Sequence, residues 1–313
     1  MLTLNTHPED VSAQADDALG SPPLSRVVRA LADARIDDDA IVRAVSAVTE
    51  NPATVESLKA LRARLSLGDP PLPDGAFERV VLLRAMCVSL RQLATYPVSD
   101  SVKRLYSDEV RFVVSPTAST RSCFDLTRNV FVGLAKTATL RRFPAGQMTW
   151  EVSGIPRSWL PKVPAHSMPR LLKYLVKLGG LSPAFVPHLS ATRRDRTALL
   201  ERETNRSWYR MAQSMQLQPQ IRGLVASSWL HSPDTMRATP HMTGFSRAPL
   251  ENGALVIRHH AANLDCGVFY RSPERKKLYE EGQFVPTHGL VIWPRKEMLA
   301  WAEAHPEFGE PTT

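Results

Sequence analysis

Two stretches near the C-terminus decide the fold: QPQIRGLVASSWLHSPDTMRATPHM (residues 218–242) and ENGALVIRHHAANLDCGVFYRSPERKKLYEEGQFVPTHGLVIWPRKEMLAWA (residues 251–302). Short apolar runs bounded by proline, glycine and polar turn residues predict buried strands. The predicted strands are IRGLVASSWL, LENGALVIRHH, CGVFY and FVPTHGLVIW. Two helices complete the pattern. SPERKKLYEEG has Ser272 as its N-cap and Gly282 at its end, and PRKEMLAWAEAHP opens at Pro294.

The part of the chain before these stretches is predicted to be mainly helical, because its apolar residues recur at a spacing of three to four. LSPAFVPHLS (residues 181–190) carries two prolines and predicts an irregular connector, and a long helix is expected to follow it up to Leu217. We therefore predict an α+β fold, with a helical N-terminal half followed by a small mixed sheet flanked by helices. The predicted divisions are a disordered tail (1–22), a helical region (23–145) and an α/β region (146–313).

Composition is typical of a globular protein, with 43% hydrophobic and 22% charged residues among 313. The three cysteines, Cys87, Cys123 and Cys266, are widely spaced and predict reduced thiols rather than a disulfide framework. No apolar run is long enough for a membrane helix, and the N-terminal residues do not resemble a secretory signal. These features predict a cytoplasmic protein with no membrane partner.

Charge is distributed unevenly along the chain. Residues 1–76 carry 7 Lys+Arg against 12 Asp+Glu, whereas residues 77–313 carry 32 against 19. The excess of positive charge in residues 77–313 can attract polyanions, so one hypothesis is a non-enzymatic binding protein for nucleic acid or an acidic partner. The other interpretation is a solvated basic surface with no specific partner.

Sequence signatures of several large enzyme classes are absent: the chain has no GxGxxG, GxxxxGK[ST], GxSxG, HExxH or CxxC. The late histidines raise the alternative of a non-haem metal oxygenase, which needs two imidazoles and one carboxylate on one face. The usual histidine–carboxylate dipeptide spacing is missing, and neighbouring His259 and His260 would point to opposite faces of a strand. No metal is therefore favoured.

Candidate site residues lie on the long helix and on the segment after the first predicted strand. Glu203 and Arg206 could form a base and its orienting partner beside Tyr209, or a solvated ion pair. The polar segment from His231 to His241 is expected to form a loop that lines a pocket, with Trp229 beside it. Ser227 and Ser228 have no flanking glycines of a nucleophile turn and are interpreted as strand residues.

The segment SPERKKLYEEGQFVPTHGLVIW (residues 272–293) resembles the C-terminal helix–strand unit of GNAT-type acyltransferases, in which a helix ending in Leu-Tyr precedes a glycine, an aromatic residue and a strand. Here these residues are Leu278, Tyr279, Gly282 and Phe284. The resemblance implies acyl-CoA or another acyl thioester as the donor, and Tyr279 as the general acid for the leaving thiolate. The chain departs from the family in lacking its Q/RxxGxG/A phosphate-binding loop.

The leading prediction is a small-molecule transferase that moves an acyl group from a thioester to an amine. In this prediction Glu203 or His231 deprotonates the amine, Tyr279 protonates the sulfur, and Trp229, His241, Arg206 and Tyr209 line the substrate pocket. The basic binding protein and the metal oxygenase remain the alternatives. The sequence carries no signal for the oligomeric state.

Overall fold

A computed structural model describes most of the chain. The described residues are 15–51, 55–65, 75–115, 129–190, 200–261, 272–285 and 287–309. Cys123, Cys266 and the predicted strand CGVFY lie outside them, as do residues 1–14 of the predicted tail. The chain divides into two compact units, Met1–Pro144 and Ala145–Thr313. The division predicted from the sequence lies one residue later, between residues 145 and 146.

Unit 1 is helical. Its elements are α1 (Pro22–Asp33), α2 (Asp38–Glu50), α3 (Glu56–Ala63), α4 (Ala76–Leu93), α5 (Asp100–Val114), α6 (Asn129–Ala138) and a short strand β1 (Arg142–Pro144). α4 is buried over most of its surface and contacts α1, α2, α5 and α6, so it forms the centre of this unit. Residues 15–19, inside the predicted tail, are helical, and Ala15 and Leu19 are buried.

Unit 2 contains strands β2 (Met148–Ser153), β3 (Ala184–Leu189), β4 (Gly223–Ser228), β5 (Leu255–Ala261) and β6 (Thr287–Pro294). Its helices are α7 (Met168–Leu178), α8 (Glu201–Gln216), α9 (Pro233–Ala238), α10 (Gly244–Glu251), α11 (Pro273–Glu280) and α12 (Arg295–Ala304). In the sheet these strands are adjacent in the order β2-β3-β4-β6-β5. β3 and β4 are parallel, and the other neighbouring pairs are antiparallel.

Both faces of the sheet are covered by helices. On one face, Val225 of β4 and Ile292 of β6 lie side by side and pack in a buried cluster with Leu171 of α7. Side chains alternate between the faces of a strand, so the neighbouring residues point the other way. There Trp293 of β6 contacts Trp208 of α8, with ring centroids 6.4 Å apart, and Trp301 of α12 at 5.3 Å.

The predicted fold class is confirmed, because helices fill the N-terminal part and a mixed sheet flanked by helices follows. The predicted helix at residues 273–280 is confirmed with its cap, since the Ser272 hydroxyl accepts a hydrogen bond from the Arg275 N–H at 3.3 Å. Among the described helices, none is long and apolar enough to cross a membrane.

Two local predictions are wrong. The predicted connector at residues 181–190 contains β3, an interior strand of the sheet with Pro187 inside it. The expected loop from His231 to His241 is mostly helical, because Ser232 caps α9 and Pro233 occupies its first turn. Ser232 accepts a hydrogen bond from the Asp234 N–H at 3.2 Å. Both features place polar groups at the same end of the sheet.

Candidate functional site

A crevice opens in unit 2 where β3 and β4 diverge. Both strands are fully described, and they run parallel to each other, but Phe185 and Leu224 are the one pair of residues that joins them. By contrast, β3 pairs with β2, and β4 pairs with β6, along their whole lengths. Beyond that point, the facing edges of the two strands do not pair with each other. Main-chain N–H and C=O groups require hydrogen-bond partners, so such an edge can receive a ligand. In open α/β sheets, ligands bind beyond the carboxyl ends of parallel strands.

A cavity of about 300 Å³ occupies this crevice, a volume at the lower end of the range for small-molecule sites. The residues of β2, β3 and β4 that line it are Met148, Pro187, His188, Leu189, Ala226, Ser227 and Ser228. Trp208 of α8, Phe245 of α10 and His288 of β6 close other sides. The turn Trp229–His231 contributes all three of its residues. The lining is therefore largely apolar with a few polar groups, as small-molecule sites usually are.

The turn that carries Trp229 and His231 is held against β6 by a close approach. A Cβ added to Gly289 would overlap the carbonyl group of His231 and lie 2.9 Å from the nitrogen of Ser232. Only glycine permits this contact, since the neighbouring atoms are main-chain atoms. Immediately after the turn, the Ser232 and Thr287 hydroxyls are hydrogen bonded at 2.6 Å. Both features fix the position of His231.

Asp234 anchors the start of α9 to the adjacent strands. Its carboxylate accepts a hydrogen bond from the Thr287 hydroxyl at 3.0 Å and forms ion pairs with Arg258 of β5 and Arg237 of α9. The Asp234 side chain is only 13% exposed. Hydrogen bonds to a charged group are stronger than neutral ones, so this network makes the framework beside the cavity rigid.

His231 is a neutral imidazole that is 5% exposed. Burial lowers the pKa of His231 to about 4, because desolvation disfavours the imidazolium. Its Nδ1 lies 2.8 Å from the hydroxyl of Ser246 on α10. Ser246 is fully buried, and within the described part of the chain its hydroxyl has no other partner. The hydroxyl therefore donates to Nδ1, since otherwise its hydrogen would be buried without an acceptor.

This hydrogen bond fixes the tautomer of His231. With Nδ1 acting as the acceptor, the imidazole proton is on Nε2. Across the described residues, Nε2 has no hydrogen-bond partner, although His231 lines the cavity. His231 is thus able to donate a hydrogen bond to a ligand, and its low pKa makes it a weak base at neutral pH.

Trp208 carries an N–H donor that is buried next to the cavity. It is 1% exposed and lines the cavity from α8. Its indole Nε1–H has no hydrogen-bond acceptor in the part of the chain that the structure describes. An unsatisfied buried donor costs about 1–3 kcal/mol, which makes it a rare feature of a protein interior.

Two further histidines line the cavity. Nε2 of His188 lies 3.0 Å from Oε1 of Glu151 on β2, and the side chain of His188 is 35% exposed. A carboxylate in this position orients an imidazole and stabilises its protonated form, as the acid of a catalytic triad does. Nδ1 of His288 lies 3.4 Å from the hydroxyl of Ser227. As predicted, Ser227 lies within a strand, and no sharp turn exposes it as a nucleophile.

The segment that resembles acyltransferases lies next to the cavity wall. Arg275 of α11 is buried, and its guanidinium lies over the ring of Trp229 at 5.0 Å from the centroid. Burial lowers the pKa of Arg275, and the nearby Glu274 partly offsets this effect. Tyr279 follows one helical turn later and is 38% exposed. Among the described residues, Tyr279 is not part of the cavity lining.

The structure brings some of the predicted site residues together and separates others. Trp229 and His231 share the cavity. Glu203 and Arg206 form an ion pair at 2.8 Å on α8, half-buried and outside the lining. The ring of Tyr209 lies beside Gly309 near the end of the described chain. His241 lies in the short 3-10 helix after α9, and the structure does not describe its side chain.

Sequence reasoning missed Glu151, His188, Trp208 and Ser246 as residues beside the cavity. The two prolines of residues 181–190 favoured a connector over a strand, so His188 was not predicted to lie in the sheet. Nothing in the spacing of the sequence links His231 to Ser246 across fifteen positions. In the described residues, no group of three metal-ligating side chains is close enough to hold an ion.

The chain was compared with known proteins. No protein-family model matches it, and searches of the curated proteins and of the solved structures gave no significant match.

Proposed function

We propose that unit 2 is an acyltransferase that moves an acyl group from a thioester to an amine in the cavity between β3 and β4. The observation that carries the proposal is the pair of diverging strand edges beside a neutral imidazole and a His–Glu pair. The resemblance of residues 272–293 to GNAT-type acyltransferases supports the same class of reaction.

The donor suits the shape of the crevice. The arm of an acyl thioester of the CoA type is an extended chain with two amide groups, so it can hydrogen bond as a peptide does along the facing edges of β3 and β4 where these two strands do not pair with each other. The apolar lining of the cavity suits the acyl group, and the volume of about 300 Å³ accommodates the reacting end of the donor rather than the whole molecule.

His188 is the base in this proposal, in place of Glu203 and His231. The amine nitrogen attacks the thioester carbonyl carbon, and His188 takes the proton that the nitrogen loses. Glu151, at 3.0 Å, stabilises the imidazolium that forms. When the C–S bond breaks, the same proton passes to the leaving thiolate. Glu203 is less suited, because it is paired with Arg206 outside the lining.

Binding of the donor is the first test. The full chain is titrated with acetyl-CoA, longer acyl-CoAs and CoA by calorimetry, and thermal shift is measured in parallel. We expect at least one acyl-CoA to bind and raise the melting temperature, because a ligand of the native state stabilises it. If no acyl-CoA binds, the proposal is wrong.

Thiol release in the presence of a panel of primary amines tests the chemistry. Glu151→Gln and His188→Asn should each lower kcat by about 10²-fold or more, with little change in donor affinity. The chain provides a matched control, since His305 and Glu307 form a similar pair at 2.8 Å on the surface. His305→Asn should leave kcat unchanged, and equal losses in both pairs would contradict the assigned role.

A further inference from the structure

A nearly continuous helical segment covers one face of the sheet in unit 2. It consists of two 3-10 helices, Arg157–Lys162 and Ala165–Ser167, followed directly by α7. Its buried residues recur at a spacing of one or two helical turns, and they are Val163, Ser167, Leu171 and Leu178. Three of these four pack in the buried cluster with β4 and β6. The segment therefore has an inward face on the sheet and an outward face in solvent.

The outward face combines apolar and basic residues and nothing else. Its exposed residues between positions 161 and 177 form five pairs, each an apolar residue followed by a basic one: Pro161–Lys162, Ala165–His166, Pro169–Arg170, Leu172–Lys173 and Val176–Lys177. These ten are the only exposed residues in this interval, which is fully described. The solvent side of a helix usually carries polar residues and charges of both signs. Contact with solvent alone does not explain this composition.

Two aliphatic side chains of α7 are the most exposed part of the apolar row. Leu172 is 54% exposed, and Val176, one turn later, is 81% exposed. Residues four positions apart lie side by side on a helix, so the two side chains form one ridge. Single exposed apolar residues are common, whereas a contiguous exposed apolar surface marks a place where something binds.

The basic row gives this face an excess of positive charge. Residues 154–180 contain five Lys and Arg and no Asp or Glu. Within the described part of the chain, Lys162, Arg170 and Lys173 form no ion pair, and Lys177 pairs with Glu297 at 3.3 Å. The charges beside the apolar ridge are therefore available to an anionic partner.

We propose that this outward face binds an anionic membrane surface, with α7 lying parallel to the bilayer. Leu172 and Val176 enter the boundary between head groups and acyl chains, and the basic row contacts lipid phosphates. An aliphatic ridge suits lipid, because the exposed positions offer neither a groove for a partner helix nor an aromatic ring for a base. A helix that lies on a membrane needs no spanning length and no signal, whose absence predicts no membrane partner. The proposal is independent of the acyltransferase function.

Co-sedimentation of the full chain with vesicles tests the proposal. Vesicles of phosphatidylcholine alone are compared with vesicles of equal parts phosphatidylcholine and phosphatidylglycerol. We expect the chain to bind the anionic vesicles more tightly by about tenfold or more, since each Lys or Arg near the surface contributes a factor of about five. Salt at about 1 M should remove this difference, because the screening length falls to about 3 Å. Binding to neither kind of vesicle, or equal binding to both, would overturn the proposal.

Two variants, each with a control, assign the binding to the outward face. Val176→Ser should weaken binding to anionic vesicles about tenfold, whereas Leu250→Ser, at a 42% exposed leucine of α10, should not. Lys173→Gln should weaken it about fivefold, whereas Lys276→Gln, which removes the same charge from α11, should not. Urea unfolding of the exposed variants should match wild type. Equal effects of a variant and its control would place the binding on another surface and overturn the proposal.

Poly-glutamate and duplex DNA are the competing probes, because a basic face can attract either of them. We expect Val176→Ser to leave any binding of these polyanions unchanged, since that binding uses charge and not the apolar ridge. A chain that binds poly-glutamate or DNA but no anionic vesicle would overturn the membrane assignment. A loss of polyanion binding in Val176→Ser as large as the loss of vesicle binding would also overturn it.

Discussion

Replacing Gly289 by alanine should disturb the fold and the site together. In β6, Gly289 lies opposite Ser228, and the turn that carries His231 crosses directly over it. A new Cβ would overlap the carbonyl group of His231, which is main chain and cannot rotate away. The strand and the turn must therefore separate, and the imidazole moves with the turn.

The expected cost follows from the neighbours of the new methyl group. Overpacking in a buried region costs about 1–3 kcal/mol and occasionally more, and here the obstruction is the main chain of the turn at His231 rather than a flexible side chain. We expect Gly289→Ala to lower the free energy of unfolding of unit 2 by about 3 kcal/mol. Gly282→Ala is the matched control. Its Cβ meets no atom within 4 Å, and only the positive φ of 70° is unfavourable, which costs about 1 kcal/mol.

Urea unfolding followed by tryptophan fluorescence measures this difference. All six tryptophans lie between residues 150 and 301, so the signal comes from unit 2 alone. Acetyl-CoA affinity of the folded variant should also decrease, because His231 is displaced. The reasoning is refuted if Gly289→Ala destabilises no more than Gly282→Ala does.

Three other predictions follow from side chains around the cavity. The pKa of His231 is about 4 in the native state and about 6.5 in the unfolded chain, because burial disfavours the imidazolium. The neutral buried imidazole therefore does not reduce the free energy of unfolding above pH 6.5, but this free energy falls by about 3 kcal/mol as the pH is lowered from 6.5 to 4. His231→Gln should remove this pH dependence, measured by urea unfolding at each pH. Asp234→Asn should cost about 2 kcal/mol in the same assay, whereas Glu280→Ala, which breaks an exposed pair, should cost less than about 0.5 kcal/mol; equal effects would contradict the anchoring role. Arg295→Met should cost about 3 kcal/mol, because Nη1 of Arg295 donates to carbonyl oxygens of Met215 at the end of α8 and of Gln218 and Ile221 in the segment that follows, and unchanged stability would contradict this.

Local rules in the sequence were sufficient for the elements that obey them. The helix that begins after Ser272 has a cap, a proline in its first turn and a glycine after its end, and each signal agrees with the others. The strand at residues 287–294 is an apolar run bounded by proline, and its pairing with β4 satisfies its backbone. Agreement between such signals is what makes an element predictable without tertiary information.

The crevice could not be predicted in the same way, because it depends on the strand that breaks the rules. β3 contains Pro187, which removes one donor from the ladder, and prolines are usually confined to edge strands. An interior strand with a proline is tolerated here beside the point where β3 separates from β4. Pairing of His188 with Glu151, and of His231 with Ser246, follows from strand and helix positions that only the folded chain establishes.

The two neighbouring tryptophans of the sheet face differ in whether the described protein satisfies their indole donors. Trp208 and Trp293 are both almost completely buried, with ring centroids 6.4 Å apart. Trp293 donates its indole proton to the Asn252 carbonyl, whereas the described protein supplies no acceptor for Trp208. A core under selection for stability alone would favour phenylalanine at position 208, because an unsatisfied donor costs about 1–3 kcal/mol. Packing alone therefore does not account for a tryptophan at position 208.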